Sequence, residues 1–186
     1  MDAELLARWQ AGDSAAGQEL FSLHFDALHR FFANTCDEPD ELTQMTFLAC
    51  LRAKDHFRGE SSFRTYLFAI ARNQLFAHTR RRKQSLEVRH PTAEFANAMT
   101  TAGTRLAKDR EQERIRTALR ELPLAQQTLL ELHYWQGLNA EELAVVFETN
   151  AAAVRVRLHR ARQALRERLG GEMSPDLELR SEKSDG

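Results

Sequence analysis

The sequence predicts an all-α protein: two small helical domains joined by a flexible linker, the second a four-helix domain ending in a helix-turn-helix. Three observations carry that expectation. Apolar residues recur at helical spacing along most of the 186 residues. Only 4 prolines and 8 glycines interrupt them, and β-branched runs are scarce. Between Gln84 and about Lys108 the periodicity lapses in SLEVRHPTAEFANAMTTAGT, then returns.

The first helix runs from about Ala3 to Gln10, with Leu5, Leu6 and Trp9 on its apolar side and Gly12 as its stop. Asp13 caps a second helix, whose buried stripe is Leu20, His24, Leu28, Phe31 and Phe32. The acidic DEPDE at 37–41 opens a third, with Pro39 in its first turn and the carboxylates near the positive end of the helix dipole. That helix continues through LTQMTFLACLRAK. After the polar break HFRGESS, Ser61 or Ser62 caps a fourth helix that buries Phe63, Leu67, Ile70, Ala71 and Leu75. Beyond the linker, helix resumes at DREQERIRTALREL and restarts at Pro123, and Gly137 closes that segment. Asn139 and Glu142 form a capping box for AEELAVVFE. Glu148, Thr149 and Asn150 make a tight turn, with Asn150 able to adopt a left-handed conformation. The last helix begins there, and the acidic stretch after Gly171 reads as a disordered tail.

Composition narrows the function. At 42% apolar and 28% charged residues, the chain has a soluble globular profile. No apolar run approaches ~18 residues, so no membrane insertion is expected. The N-terminal MDAELLARWQAGD has none of the parts of a signal peptide, which implies a cytoplasmic location. Cys36 and Cys50 form no CxxC pair and read as reduced thiols, with a redox or metal role as the alternative. His24 and His29, five residues apart, diverge on a helix instead of chelating a metal. No GxSxG, glycine-rich phosphate loop, HExxH or Walker sequence occurs, so no catalytic residue, metal or cofactor is assigned.

Charge is segregated. Residues 72–83 carry Arg72, Arg80, Arg81, Arg82 and Lys83 with no acid, a balance of +5. Residues 151–169 carry six arginines against Glu167, again +5, so the net charge of -1 leaves the remainder at -11. Two basic segments in an acidic body point to two separate polyanion contacts.

The second basic segment has the geometry of a DNA reader. Val154, Leu158, Ala161, Leu165 and Leu169 fall on one side of the last helix, which must pack on AEELAVVF. Arg155, Val156, His159, Arg160 and Gln163 project from the opposite side. Arg157, Arg162, Arg166 and Arg168 flank the packed stripe, in reach of phosphates. A solvated helix would alternate Glu and Lys; here one acid accompanies six arginines.

From residue 1 to about 170, the order and spacing of these segments resemble the extracytoplasmic-function (ECF) group of bacterial sigma factors. GDSAAGQELF, EPDELTQMTFLACLRA and FRGESSFRTYLFAIARNQLFAHTRRR are similar to its regions 2.1, 2.2 and 2.3–2.4. LRELPLAQQTLLELHYWQGLNAEELAVVF and AAVRVRLHRARQALR resemble regions 4.1 and 4.2. The resemblance implies a non-enzymatic promoter-specificity subunit that binds core RNA polymerase, reads the -35 element as duplex and captures the -10 element as melted strand. It implies a region 2 domain over 1–90, a linker over 91–110, a region 4 domain over 111–170 and a tail over 171–186.

Carried over by position, the -35 contacts fall on Arg155, Val156, His159 and Arg160, with Arg157, Arg162 and Arg166 on phosphates. The -10 strand falls on Arg58, Ser61, Ser62, Phe63, Arg64, Tyr66, Arg72, Asn73, Arg80 and Arg81. Polymerase binding falls on Asp40, Glu41, Gln44 and Met45, and an anti-sigma factor is an implied partner. Phe63, Tyr66, Phe68 and Phe76, beside these arginines, supply the stacking faces and cations that strand capture needs. Tyr66 stands where the family commonly has tryptophan, Met45 where it has glutamate, and Ala152–Ala153 where many members have glycine and threonine. The competing expectation is a stand-alone helix-turn-helix regulator with a helical N-terminal sensor domain.

Overall fold

The computed structural model describes residues 1–54, 57, 59–89 and 107–170, apart from the side chains of 86–89 and 107–112. Arg58, most of the expected linker and the acidic tail lie outside the described residues. Within them the secondary structure is eight α-helices: α1 (Asp2–Gln10), α2 (Ser14–Thr35), α3 (Pro39–Arg52), α4 (Phe63–Arg89), α5 (Ala107–Arg120), α6 (Leu124–Tyr134), α7 (Ala140–Val146) and α8 (Ala151–Arg168). The all-α expectation holds. Helix takes back both ends of the expected linker region, since α4 runs on to Arg89 and α5 starts at Ala107.

The caps explain where the helices begin. Asp13 Oδ1 accepts from the amides of Ala15 (3.0 Å) and Ala16 (3.1 Å), and Ser62 Oγ accepts from Thr65 N at 3.1 Å. Asn139 and Glu142 form the reciprocal capping box. In the turn before α8, Glu148, at φ 52°, takes the left-handed position, while Asn150 is extended and caps α8 by accepting from Ala153 N at 2.8 Å. One side chain cannot cap in extended geometry and also occupy the left-handed corner, and the capping bond decides.

Helices α1–α4 close around Leu5, Trp9, Leu20, Leu28, Phe31, Phe32, Leu42, Leu67 and Leu75. Phe68 is fully buried and Ile70 only partly, the reverse of the helical-stripe expectation for that pair. Helices α5–α8 bury Leu119, Leu130, Leu132, Leu138, Leu143, Val146, Val154, Leu158 and Leu165. The two sets dock through α4 on α7 and α2 on α6.

Gly17 sits where α2 passes the Trp9 indole, whose ring also packs edge-on against Phe21 at 5.2 Å. A methyl at that position would collide with Trp9 Cδ1 and Nε1, which Phe21 and Phe63 hold in place. Gly17→Ala should therefore lower stability by about 1–3 kcal/mol in thermal or urea denaturation, despite alanine's better helix propensity.

Candidate nucleic-acid interface

Helix α8 presents the two faces its sequence implies. Val154, Leu158, Ala161, Leu165 and Leu169 are buried against the preceding helices. Arg155, Val156, His159, Arg160 and Gln163 are exposed, as are Arg157 and Arg166, while Arg162 is half-buried. Arg155 does not project freely: its Nη2 donates to Glu141 Oε1 of α7 at 2.7 Å. Arg168 turns back along its own helix, donating to Ala164 O at 3.2 Å and lying 3.8 Å from Glu121. Three of the four expected phosphate arginines thus stay at the flanks, with Arg168 partly engaged.

The second basic surface follows α4. Ser62 and Asn73 are exposed, Ser61 and Tyr66 half-buried, and Arg80 and Arg81 exposed. Tyr66 packs against Phe57 at 4.6 Å between ring centroids, and burial, with Cys50 nearby, pushes its phenol up. Phe63 requires a correction. At 3% exposure it is packed among Trp9, Phe21, His24 and Phe57, so its ring is a core element and not a base-stacking face. Phe68 is likewise core, although Arg64 lies over it at 5.5 Å. Of the aromatic residues on and just before α4, Phe57, Tyr66 and Phe76 are only partly buried.

Two expected strand contacts are occupied within the chain. Arg64 Nη2 donates to Gln136 O. Arg72 Nη1 donates to Val146 O at 3.1 Å and approaches Glu148 Oε1 at 3.4 Å, with the guanidinium 5.2 Å from both the Phe76 and Phe147 rings. In the RRRK run, Arg82 turns to Asp37, whose hydrogen bond pushes the guanidinium up, so this arginine joins the acidic motif to α4.

The acidic start of α3 is further tied down by His29, whose Nε2 lies 3.0 Å from Asp40, and by His78, 3.2 Å from Glu38. Glu41 and Gln44 are exposed, but Met45 is partly buried against the core. Leu48 and Leu51, 42% and 48% exposed, continue the Glu41–Gln44 face at helical spacing. The sequence reading passed over them, although the i, i+3, i+7 pattern was available.

Residues 21–85 match the family described as Sigma-70 region 2, and residues 112–165 the one described as Sigma-70, region 4. The chain is 30% identical over 172 residues to the ECF RNA polymerase sigma factor SigM of Mycobacterium tuberculosis, covering 91% of this chain and 85% of that one. The protein belongs to the ECF RNA polymerase sigma factors. It is also 29% identical over 180 residues to the RNA polymerase sigma-H factor of Pseudomonas aeruginosa, covering 88% of this chain and 91% of that one. Among solved structures it resembles the sigma factor RpoE crystallised with the anti-sigma factor NepR from Bartonella quintana, at 25% identity, TM-score 0.68, and 84% and 98% coverage. It shares the fold of CnrH in complex with the cytosolic domain of CnrY, at 24% identity, TM-score 0.69, and 92% and 99% coverage. As a member of this family, the chain is a promoter-specificity subunit of RNA polymerase. The region 2 match over residues 21–85 does not favour a helical sensor domain in the first half.

No group of three or more His, Cys, Asp or Glu residues able to hold a metal occurs among the described residues, and none of their helices is long and apolar enough to cross a membrane. Cys36 and Cys50 are unpaired, and burial pushes their thiols up to about 11 and about 12. At pH 8, thiol reagents should label the native chain roughly 100-fold more slowly than free cysteine, with equal rates after denaturation.

Proposed function

We propose that the chain divides its promoter recognition between two surfaces, with residues 1–90 handling polymerase and the -10 strand and 111–170 handling the -35 duplex. The observation that carries this is α8, with an unbroken apolar stripe on one side and Arg155, Val156, His159 and Arg160 exposed on the other. In the major groove Arg155 and Arg160 would fork onto guanine edges, His159 would hydrogen-bond an adjacent base and Val156 would meet a thymine methyl. Arg157, Arg162 and Arg166 would grip phosphates.

Along α4, Tyr66 with Phe57 supplies an aromatic face for a flipped base, and Arg64, Arg72, Asn73, Arg80 and Arg81 line the strand's path. Ser61 and Ser62 precede α4 at the edge of that surface, and Arg58, outside the described residues, is assigned to the same strand by position. Stacking worth roughly 1–3 kcal/mol per base offsets the cost of unstacking promoter DNA without ATP. Polymerase docks on the outer face of α3, through Asp40, Glu41 and Gln44 extended by Leu48 and Leu51. An anti-sigma factor covering these surfaces is supported by the similar sigma factor RpoE, co-crystallised with the anti-sigma factor NepR. Such work places the chain in the cytoplasm and requires no catalysis or cofactor of its own.

Run-off transcription with core polymerase tests the reading, which requires promoter-dependent transcripts only when the chain is added. Within that assay, His159→Ala should change which upstream sequences are used, by about 1–3 kcal/mol at one base pair. Arg166→Ala should weaken binding to all promoters alike and lower the salt slope by about 1. Identical behaviour of the two variants would contradict the division of α8.

A further inference from the structure

Two of the groups assigned to the melted strand, Arg64 and Arg72, are taken up by the C-terminal half of the chain. Arg64 is bonded to Gln136 O, and Thr65 Oγ1 donates to Glu142 Oε1 at 3.3 Å. Arg72 is bonded to Val146 O and covered by Phe147. The recognition face of α8 stays open in the same arrangement.

Beside these contacts lies a second, polar one. Asn34 Nδ2 donates to Glu131 Oε1 at 3.0 Å, Gln136 Nε2 approaches the same oxygen at 3.4 Å, and Gln127 Nε2 donates to Asn34 O at 3.3 Å. Glu131 is only 3% exposed, and its hydrogen-bond partners are uncharged amides. The charges acting on it are Arg30 of α2 and Arg116 of α5, neither within ion-pair distance. On α6 itself, the His133 ring Nδ1 lies 2.9 Å from Leu138 O. α8 presents its apolar stripe to the neighbouring helices, while on α4 the nearby cation, Arg64, is held by Gln136 O.

In the docked arrangement the C-terminal half covers Arg64 and Arg72 of the strand surface, and we propose that the Asn34–Glu131–Gln136 cluster is a proton-responsive catch on that arrangement. The proposal rests on the assignment of Arg64 and Arg72 to the strand. Docking withdraws Glu131 from water, and this burial pushes its carboxyl up to about 7 against partial relief from Asn34, Gln136, Arg116 and Arg30. Undocking removes Asn34 and α2 and returns the group toward the ordinary carboxylate range. Docking therefore takes up a proton between about pH 4.5 and about 7. The docked form is fully favoured below that window, loses its advantage as pH rises through it, and is insensitive above it. Across the window, the docked-to-open ratio should fall by up to about 300-fold.

Small-angle X-ray scattering of the full chain at pH 5.5 and pH 8.0 reads the two forms as a difference in radius of gyration. The wild type should expand at pH 8.0, and Glu131→Gln, which keeps the amide contacts without a charge, should stay compact at both pH values. Asn34→Asp, which sets a second carboxylate against Glu131, should be expanded at pH 8.0, with helicity by circular dichroism confirming that it is folded. If the wild type and Glu131→Gln respond alike, or folded Asn34→Asp is as compact as Glu131→Gln at pH 8.0, the proposal is overturned. Run-off transcription by the same samples keeps the two readings apart. A compact, pH-independent chain that still directs transcription sinks only the catch, whereas a wild type that directs none sinks the assignment of function.

Discussion

The Arg72 guanidinium lies between the rings of Phe76 and Phe147 and reaches across to Val146 O, so one side chain of α4 fixes where α7 sits. α7 in turn carries α8, through the capping box at Asn139 and the Asn150 cap that starts the recognition helix. An arginine that is 20% exposed and desolvated on two aromatic faces is a stronger anchor than an exposed ion pair, because its attraction is not screened by water. The same cation is suited to a DNA phosphate. In the proposed strand contact it could not serve both partners at once.

The remaining charge is arranged by the same economy. Arg82, His78 and His29 meet Asp37, Glu38 and Asp40, which holds the start of α3 against α2 and α4. Arg80 and Arg81 are left outward. On α8 the Arg155–Glu141 pair, exposed on both sides, costs little to break when a guanine edge is offered.

Much of this was legible in the sequence because helices are periodic and caps are local. The stripe from Val154 to Leu169, the Asp13 cap and the Asn139–Glu142 box each depend on residues within a few turns of one another. Where two local rules compete for one residue, the local pattern does not choose between them: Asn150 can cap or be left-handed, and in the structure it caps while Glu148 takes the corner. Phe63 reads as a base-stacking face in the sequence because nothing local shows that Trp9 and Phe21, more than forty residues away, enclose it. Docking of the two helical sets was invisible for the same reason. Glu131 stands in the apolar run TLLELHYW, a signal that something unusual surrounds that acid, but Asn34 as its partner is a tertiary fact.

The central claim is that this chain gives polymerase both a duplex reader and a strand-capturing surface. Permanganate footprinting of core polymerase with this chain on an active promoter measures both together, since it reports unstacked thymines. The account predicts reactive thymines at the -10 element, lost when Tyr66 and Arg72 are replaced by alanine, while protection at the -35 element persists. Upstream protection with no reactive thymines for the unaltered chain would contradict it, leaving a duplex-binding protein with no part in melting.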